Sequence, residues 1–446
     1  MRNKTATNIP GGLFILGAAL LLFWFLYKPS VKVSIFQTEV GAAGPVRLNF
    51  TKAMDKSSVE ERIRVTPEID VWYTWSGNSL LVWPAQPFQA EKYELGLGSG
   101  FRAEDGQLIQ ENATWEFSIR EPEVVYLYPV NGAAELWKVN PESGLQTQFT
   151  HTDGKVYDYT VSKDGALIVY SVMNAEGGID LWLMDRNGSS QEELVHCGSG
   201  RCNEPAISPG GEWTAYSKSG RGLEGLESGS KIWLADLDEK ETRLLVDNPD
   251  LFGRDARWSP QGDRLAFLDE AGSLIRIFDL NLREISNLQS TGQETGAWKP
   301  DGSEMLISSE IVVGIQSFSG LSLVDFEREM IEPLFTQNQS LVDYSAPEYS
   351  PAADRVVVGR REQLANGRSS IQVWLVDLAS QSLKPITTDH NYSHGSFHWS
   401  PAGDQVVYQR YLLGSSQAAP QILIWDRDRG TSKLIVENAA IPRWLP

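Results

Sequence analysis

The stretch Ala256-Arg257-Trp258-Ser259-Pro260-Gln261-Gly262-Asp263-Arg264-Leu265-Ala266-Phe267-Leu268 decides the fold. Proline presets φ at the first corner of a turn, glycine accepts the left-handed corner that follows, and apolar runs lie on both sides, so the segment predicts a β-hairpin. The same signature returns as Ser162-Lys163-Asp164-Gly165, Ser208-Pro209-Gly210-Gly211, Lys299-Pro300-Asp301-Gly302, Ser350-Pro351-Ala352-Ala353-Asp354 and Ser400-Pro401-Ala402-Gly403. A repeat interval of roughly 40 to 50 residues marks a β-propeller.

Around each turn a four-strand unit can be read. A short strand A often ends in an aromatic residue, as in Phe397-His398-Trp399, and an alternating strand B follows, as in Gln405-Val406-Val407-Tyr408-Gln409. Strand C ends in aspartate, as in Ile232-Trp233-Leu234-Ala235-Asp236 and Val373-Trp374-Leu375-Val376-Asp377, where the carboxylate is expected to cap the next turn through backbone N–H groups. Val124 to Tyr128 and Leu136 to Asn140 supply B and C strands before the first signature, and Ile441-Pro442-Arg443-Trp444-Leu445-Pro446 supplies a strand A after the last. Seven blades are therefore expected, the first completed by the C-terminal strand, which removes an open edge.

These repeats, over residues 123–446, resemble the TolB-type WD-like propeller repeat, carried best by Trp258-Ser259-Pro260 and Trp399-Ser400-Pro401. The Ser350 turn departs from it by lacking glycine. The resemblance implies a periplasmic or cell-surface binding platform.

Ahead of the ring, residues 31–120 carry short alternating runs at Val33 to Phe36, Val46 to Phe50, Ile63 to Thr66, Val71 to Trp75, Ser79 to Trp83, Tyr93 to Leu97 and Thr114 to Ile119. They predict an Ig-like β-sandwich. Asn49-Phe50-Thr51-Lys52-Ala53-Met54-Asp55, Ile63-Arg64-Val65-Thr66-Pro67, Tyr93-Glu94-Leu95 and Trp115-Glu116-Phe117 resemble the bacterial S-layer-type Ig-like domain, which implies a spacer or adhesion module. Trp72, Trp75, Trp83 and Trp115 are expected to pack within it.

Residues 1–30 read as a cytoplasmic tip and membrane anchor. Ile9 to Tyr27 carries no charge, Arg2 and Lys4 precede it, and no small-x-small cleavage site follows, so a single N-terminal transmembrane helix with the remainder outside is expected. The whole is thus all-β beyond the anchor.

A formal charge of −19 argues against nucleic acid as a partner. The two cysteines, Cys197 and Cys202, lie in one Gly-rich loop and are expected to form a disulfide in an oxidising compartment. Three of the five histidines, His390, His394 and His398, fall between a strand D and a strand A and are the candidate metal ligands, of the kind used by some pectin lyases with a similar propeller. Spaced by four on a strand, His394 and His398 are expected to share a face. No nucleophile elbow, Walker A or dinucleotide-binding glycine pattern occurs, and no cofactor is expected. The function expected is recognition of an envelope protein, peptide or glycan, with a metal-assisted polysaccharide lyase as the alternative. The B-to-C loops Ser219 to Ser230, Arg361 to Ser369 and Leu412 to Ala419 are the expected contact surface. Oligomeric state is not legible in the residues.

Overall fold

The computed structural model describes residues 30–446 except 221–228, 270, 291–293, 314, 336–341, 364–368 and 416–417. The apolar stretch Ile9 to Tyr27 and parts of the three long B-to-C loops, 221–228, 364–368 and 416–417, lie outside the described residues. Among the described residues no helix is long and apolar enough to cross a membrane.

Residues 123–446 form seven four-stranded blades, two of which join edge to edge into one eight-stranded sheet. The join is a single parallel bridge between Ile179 and Arg201, beside the Cys197–Cys202 disulfide, whose Cα atoms are 6.3 Å apart. In blade one the order is Gln146–Gln148, Glu135–Val139, Glu123–Tyr128 and, innermost, the C-terminal strand Ala440–Leu445. That last strand runs antiparallel to Glu123–Tyr128, with Trp444 opposite Val124 and Leu445 opposite Glu123.

The repeated residues have repeated uses. At the five A-to-B turns that begin with serine, the hydroxyl accepts the N–H five residues on, as from Leu167 to Ser162 at 2.9 Å, Arg264 to Ser259 at 3.0 Å and Gln405 to Ser400 at 3.0 Å, and the Lys299 turn lacks it. The aspartate closing strand C accepts two N–H groups of the next turn in Asp185, Asp236, Asp279 and Asp325. The left-handed corner is occupied by Gly262 at φ +75° and Gly403 at +72°, and in the blade that lacks glycine by Ala353 at +56°. The hydrogen-bond pattern of the turn survives there, with Ala353 N–H donating to Ser350 O at 2.9 Å.

The blades adhere through their flat faces. The C-terminal strand supplies both seams at once: Trp444 packs with Val407, Ile422 and Ile424 of blade seven, and Leu445 packs with Tyr159 and Ile168 of blade two. A second tie runs around the axis. The indole N–H at the end of strand A donates to the strand-A carbonyl of the preceding blade, from Trp258 to Ala206 at 2.8 Å, Trp298 to Arg257 at 3.2 Å, Trp399 to Glu348 at 3.2 Å and Trp444 to His398 at 3.0 Å.

Residues 33–119 build two four-stranded sheets, Val33–Ile35 with Val46–Phe50, Ser79–Pro84 and Val71–Ser76, and Glu39–Val40 with Ala113–Ile119, Lys92–Leu97 and Ile63–Thr66. They enclose one core that includes Leu48, Val82, Leu95 and Phe117. A short helix, Lys56–Glu60, begins where Asp55 accepts the Ser58 N–H. Trp75 and Trp115 pack against the core, whereas Trp72 and Trp83 sit on alternate positions and stack on each other at 5.2 Å. The sandwich meets the ring on the A-to-B turn face. Arg47 reaches Gly210 O at 2.5 Å and Asp164 Oδ2 at 3.4 Å, Gly41 lies so close to Pro446 that a Cβ there would overlap it, and Arg120 donates to Pro446 O at 3.1 Å.

Trp444→Ala should destabilise the ring by about 3–5 kcal/mol, since it removes a buried indole from the closing seam; chemical unfolding measures it. Ala353→Gly should add about 1 kcal/mol by relieving the left-handed alanine, seen as a higher unfolding midpoint.

Candidate functional site

The innermost strands of the blades line the axis, and neighbours are in contact around the ring, blades four and five through the Trp298 indole on Arg257 O. Most of these strands carry a β-bulge at the same place, marked by a register shift and a left-handed residue: Glu204 at φ +53°, Asp255 at +50°, Ala346 at +50°, Ser396 at +45° and Ile441 at +53°. A bulge takes a backbone N–H out of the ladder, and a buried N–H needs another acceptor. A side chain of the preceding blade provides it. Glu204 accepts from Asp255 N–H at 2.9 Å, Asp255 from Thr295 N–H at 3.0 Å, Glu294 from Ala346 N–H, and Gln409 from Ile441 N–H at 2.8 Å.

Just after the bulge, the residue before the terminal aromatic or aliphatic forms a second layer: Ala206, Arg257, Glu348, His398 and Arg443. Two residues of strand separate the layers, roughly 7 Å. The acidic layer thus lies away from the sandwich and the mixed layer lies toward it. Lys163, on the blade-two turn, joins the mixed layer and feels the charges of Glu348, Arg257 and Arg443.

Electrostatics follow from enclosure and pairing. Burial pushes Asp158 up, opposed by Arg443, and burial likewise raises Glu294. Burial also acts to raise Asp255 and Glu348. In Asp255 it is outweighed by Arg257, whose Nε is 3.0 Å away, and by the Thr295 N–H; in Glu348 it is outweighed by His398 at 2.6 Å and the Trp399 N–H. Both carboxyls are held below the ordinary range. Lys163 is open to solvent through the channel yet densely surrounded, and this burial, with the two arginines, lowers its ammonium.

The candidate histidines are not gathered into one ligand set among the described residues. The expectation that His394 and His398 share a face is corrected by the bulge at Ser396, which inserts one residue between them and reverses the side of the strand. His398 faces the axis and Glu348. His394 is 3% exposed, bonds Ile371 O through Nδ1 at 2.9 Å and lies against Tyr408. His390 meets Ser370 Oγ at 3.1 Å. Among the described residues the group with metal-ligand proximity is instead Asp180, Glu193 and His196. There Asp180 accepts the Cys197 N–H at 2.7 Å and the Asn174 amide at 2.9 Å, so it lashes down the disulfide loop.

Sequence reasoning missed the axial layers. A signal was present: Arg257, His398 and Arg443 each immediately precede the tryptophan of a repeat.

No protein-family model matches the chain. Over 227 residues it is 26% identical to the uncharacterized peptidase YuxL of Bacillus subtilis (strain 168), an alignment covering 48% of the chain and 30% of that protein. The chain thus spans less than a third of that curated relative. Among solved structures it is similar to a puromycin-hydrolyzing peptidase of Mycobacterium tuberculosis, with 12% identity and a TM-score of 0.50 over 91% of this chain and 57% of that one. TolB-like propellers are also structural neighbours, among them TolB from Acinetobacter baumannii, with 15% identity and a TM-score of 0.43 over 73% of this chain and 83% of that one. These likenesses concern the fold alone.

Burial holds His394 neutral, lowering it to about 4, whereas in the unfolded chain it protonates near its ordinary value of about 6.5. Its contribution to stability is therefore complete above about pH 6.5 and is lost as the pH falls toward 4, about 3 kcal/mol in all. His394→Phe should flatten that part of the profile of unfolding midpoint against pH.

Proposed function

We propose that this chain is a binding protein of the bacterial cell envelope, held by a single span at residues 9–27 and presenting an Ig-like spacer of the S-layer type and a TolB-like ring outside the membrane. The ring recognises a protein, peptide or glycan segment that enters its axis. The observation that carries this reading is the two-layered axial wall, in which Lys163, Arg257, Glu348, His398 and Arg443 converge from five blades on one polar passage. Rigid blades hold these groups in place before a ligand arrives, which reduces the ordering cost of binding. The Cys197–Cys202 disulfide supports an oxidising compartment. Net negative charge supports a protein that avoids nucleic acid and stays soluble.

A metal-assisted lyase is less well supported. Oligogalacturonate lyase in complex with manganese is a structural neighbour, but two of the candidate ligands here are engaged elsewhere, His394 by a backbone carbonyl and His398 by Glu348.

Ala206 faces the axis in the second layer with a small side chain. Full-length protein should capture a discrete set of envelope components by cross-linking, and Ala206→Trp, which fills the passage, should empty that set without lowering the melting temperature. An unchanged set would remove the axis as the binding surface.

A further inference from the structure

Two kinds of charge line the axis, and the fold accounts for only one of them. Glu204 and Glu294 each satisfy a bulge N–H of a following blade, Asp255 satisfies the Thr295 N–H of blade five, and Glu348 satisfies the Trp399 N–H while pairing with His398. These acids hold the wall together whether or not a ligand is present. The cations are different. Arg257 meets Asp255 at 3.0 Å, but Arg443 has its Nε buried with no hydrogen-bond partner, and its guanidinium makes no salt bridge among the described residues. Lys163 likewise makes neither a salt bridge nor a side-chain hydrogen bond among them, with Glu348, Arg257 and Arg443 all within electrostatic reach. Arg257 is paired with Asp255, whereas Lys163 and Arg443 feel Glu348 and Asp158 only through space, so an anion placed between the three cations supplies the direct contact that two of them lack.

We infer that Lys163, Arg257 and Arg443 form a carboxylate site at the inner end of the axial channel, which receives the C-terminal carboxylate of an extended peptide. The inference rests on the axis being the binding surface. The guanidinium groups offer planar N–H forks suited to a carboxylate, and Lys163 adds a point charge. The route is set by the sandwich: the backbone oxygen of Lys163 lies 3.4 Å from where a Cβ of Gly44 would stand, so the Gly41–Gly44 turn flanks the A-to-B face and the opposite mouth is the one for entry. A ligand coming from there passes the layer of Asp158, Glu204, Asp255 and Glu294 before it reaches the cations. A polyuronate carries a carboxylate on every sugar and would set one of them against those acids. A peptide with a single terminal carboxylate and a neutral backbone does not, and this favours the peptide end.

The test is calorimetric titration of the full-length protein with N-acetyl-trialanine, its C-terminal amide and tri-galacturonate. The acid should bind saturably, with the amide and the uronate each at least about tenfold weaker. Lys163→Met and Arg443→Gln should each weaken the acid by about tenfold. Lys163 is itself exposed and makes no side-chain hydrogen bond, so its variant keeps the test valid should Arg443→Gln loosen the closing strand. Equal binding of acid and amide, absence of binding by the acid, or tighter binding of tri-galacturonate would each overturn the site. If the carboxylate fails here while Ala206→Trp still empties the cross-linked set, the channel stands and the anion site falls.

Discussion

The antiparallel pairing of Ala440–Leu445 with Glu123–Tyr128 is the constraint on which the ring depends. A blade is amphipathic on both flat faces, so any blade without two neighbours exposes apolar surface to water. Six of the seven seams join blades adjacent in sequence, and the seventh must be made by parts of the chain hundreds of residues apart. One strand makes it, and its alternation serves both sides: Trp444 enters the cluster shared with blade seven and Leu445 the cluster shared with blade two. The indole of Trp444 then repeats toward His398 the hydrogen bond that Trp258, Trp298 and Trp399 make elsewhere. Closure is therefore an instance of the ordinary blade-to-blade contact.

The axial wall shows how a structural requirement and a functional surface come from one device. A bulge in most of the innermost strands turns the chain and raises its twist, and it frees an N–H that must be met. Meeting it with a carboxylate from the neighbour stitches the blades together close to the axis, where they approach most nearly. The same bulge sets the parity of everything that follows on the strand. Arg257, Glu348, His398 and Arg443 point inward because of it, and His394 points into the seam between blades six and seven.

Much of the architecture was legible in the residues because it rests on local rules repeated along the chain. Ser-Pro-x-Gly turns, aspartates closing strand C and the strand-A likeness of Pro442-Arg443-Trp444 to Ala256-Arg257-Trp258 are all short-range patterns. The axial site was less legible because it depends on parity. A β-bulge is invisible to a period-of-two reading, so His394 and His398 were assigned one face when Ser396 places them on two. The acids that hold the wall come from separate blades, and Glu204, Asp255 and Glu294 share no motif that a linear reading would group. The departure at Ala353, by contrast, was visible as a missing glycine, and its φ of +56° shows that the turn keeps its geometry with a less suitable residue.

The contact at Pro446 has a mechanical consequence. Its backbone oxygen is held by Arg120, at the start of the linker, and by Arg186 of blade two, while Gly41 of the sandwich abuts its ring. A pull on the sandwich therefore loads the strand that locks the propeller, and it does so across two blades rather than one. Because that strand is bonded along its length to its neighbour, tension arriving there is spread over the row of bonds as shear instead of opening them one after another. Tether and lock are thus the same spot, and the ring resists force at the point where it would otherwise come undone.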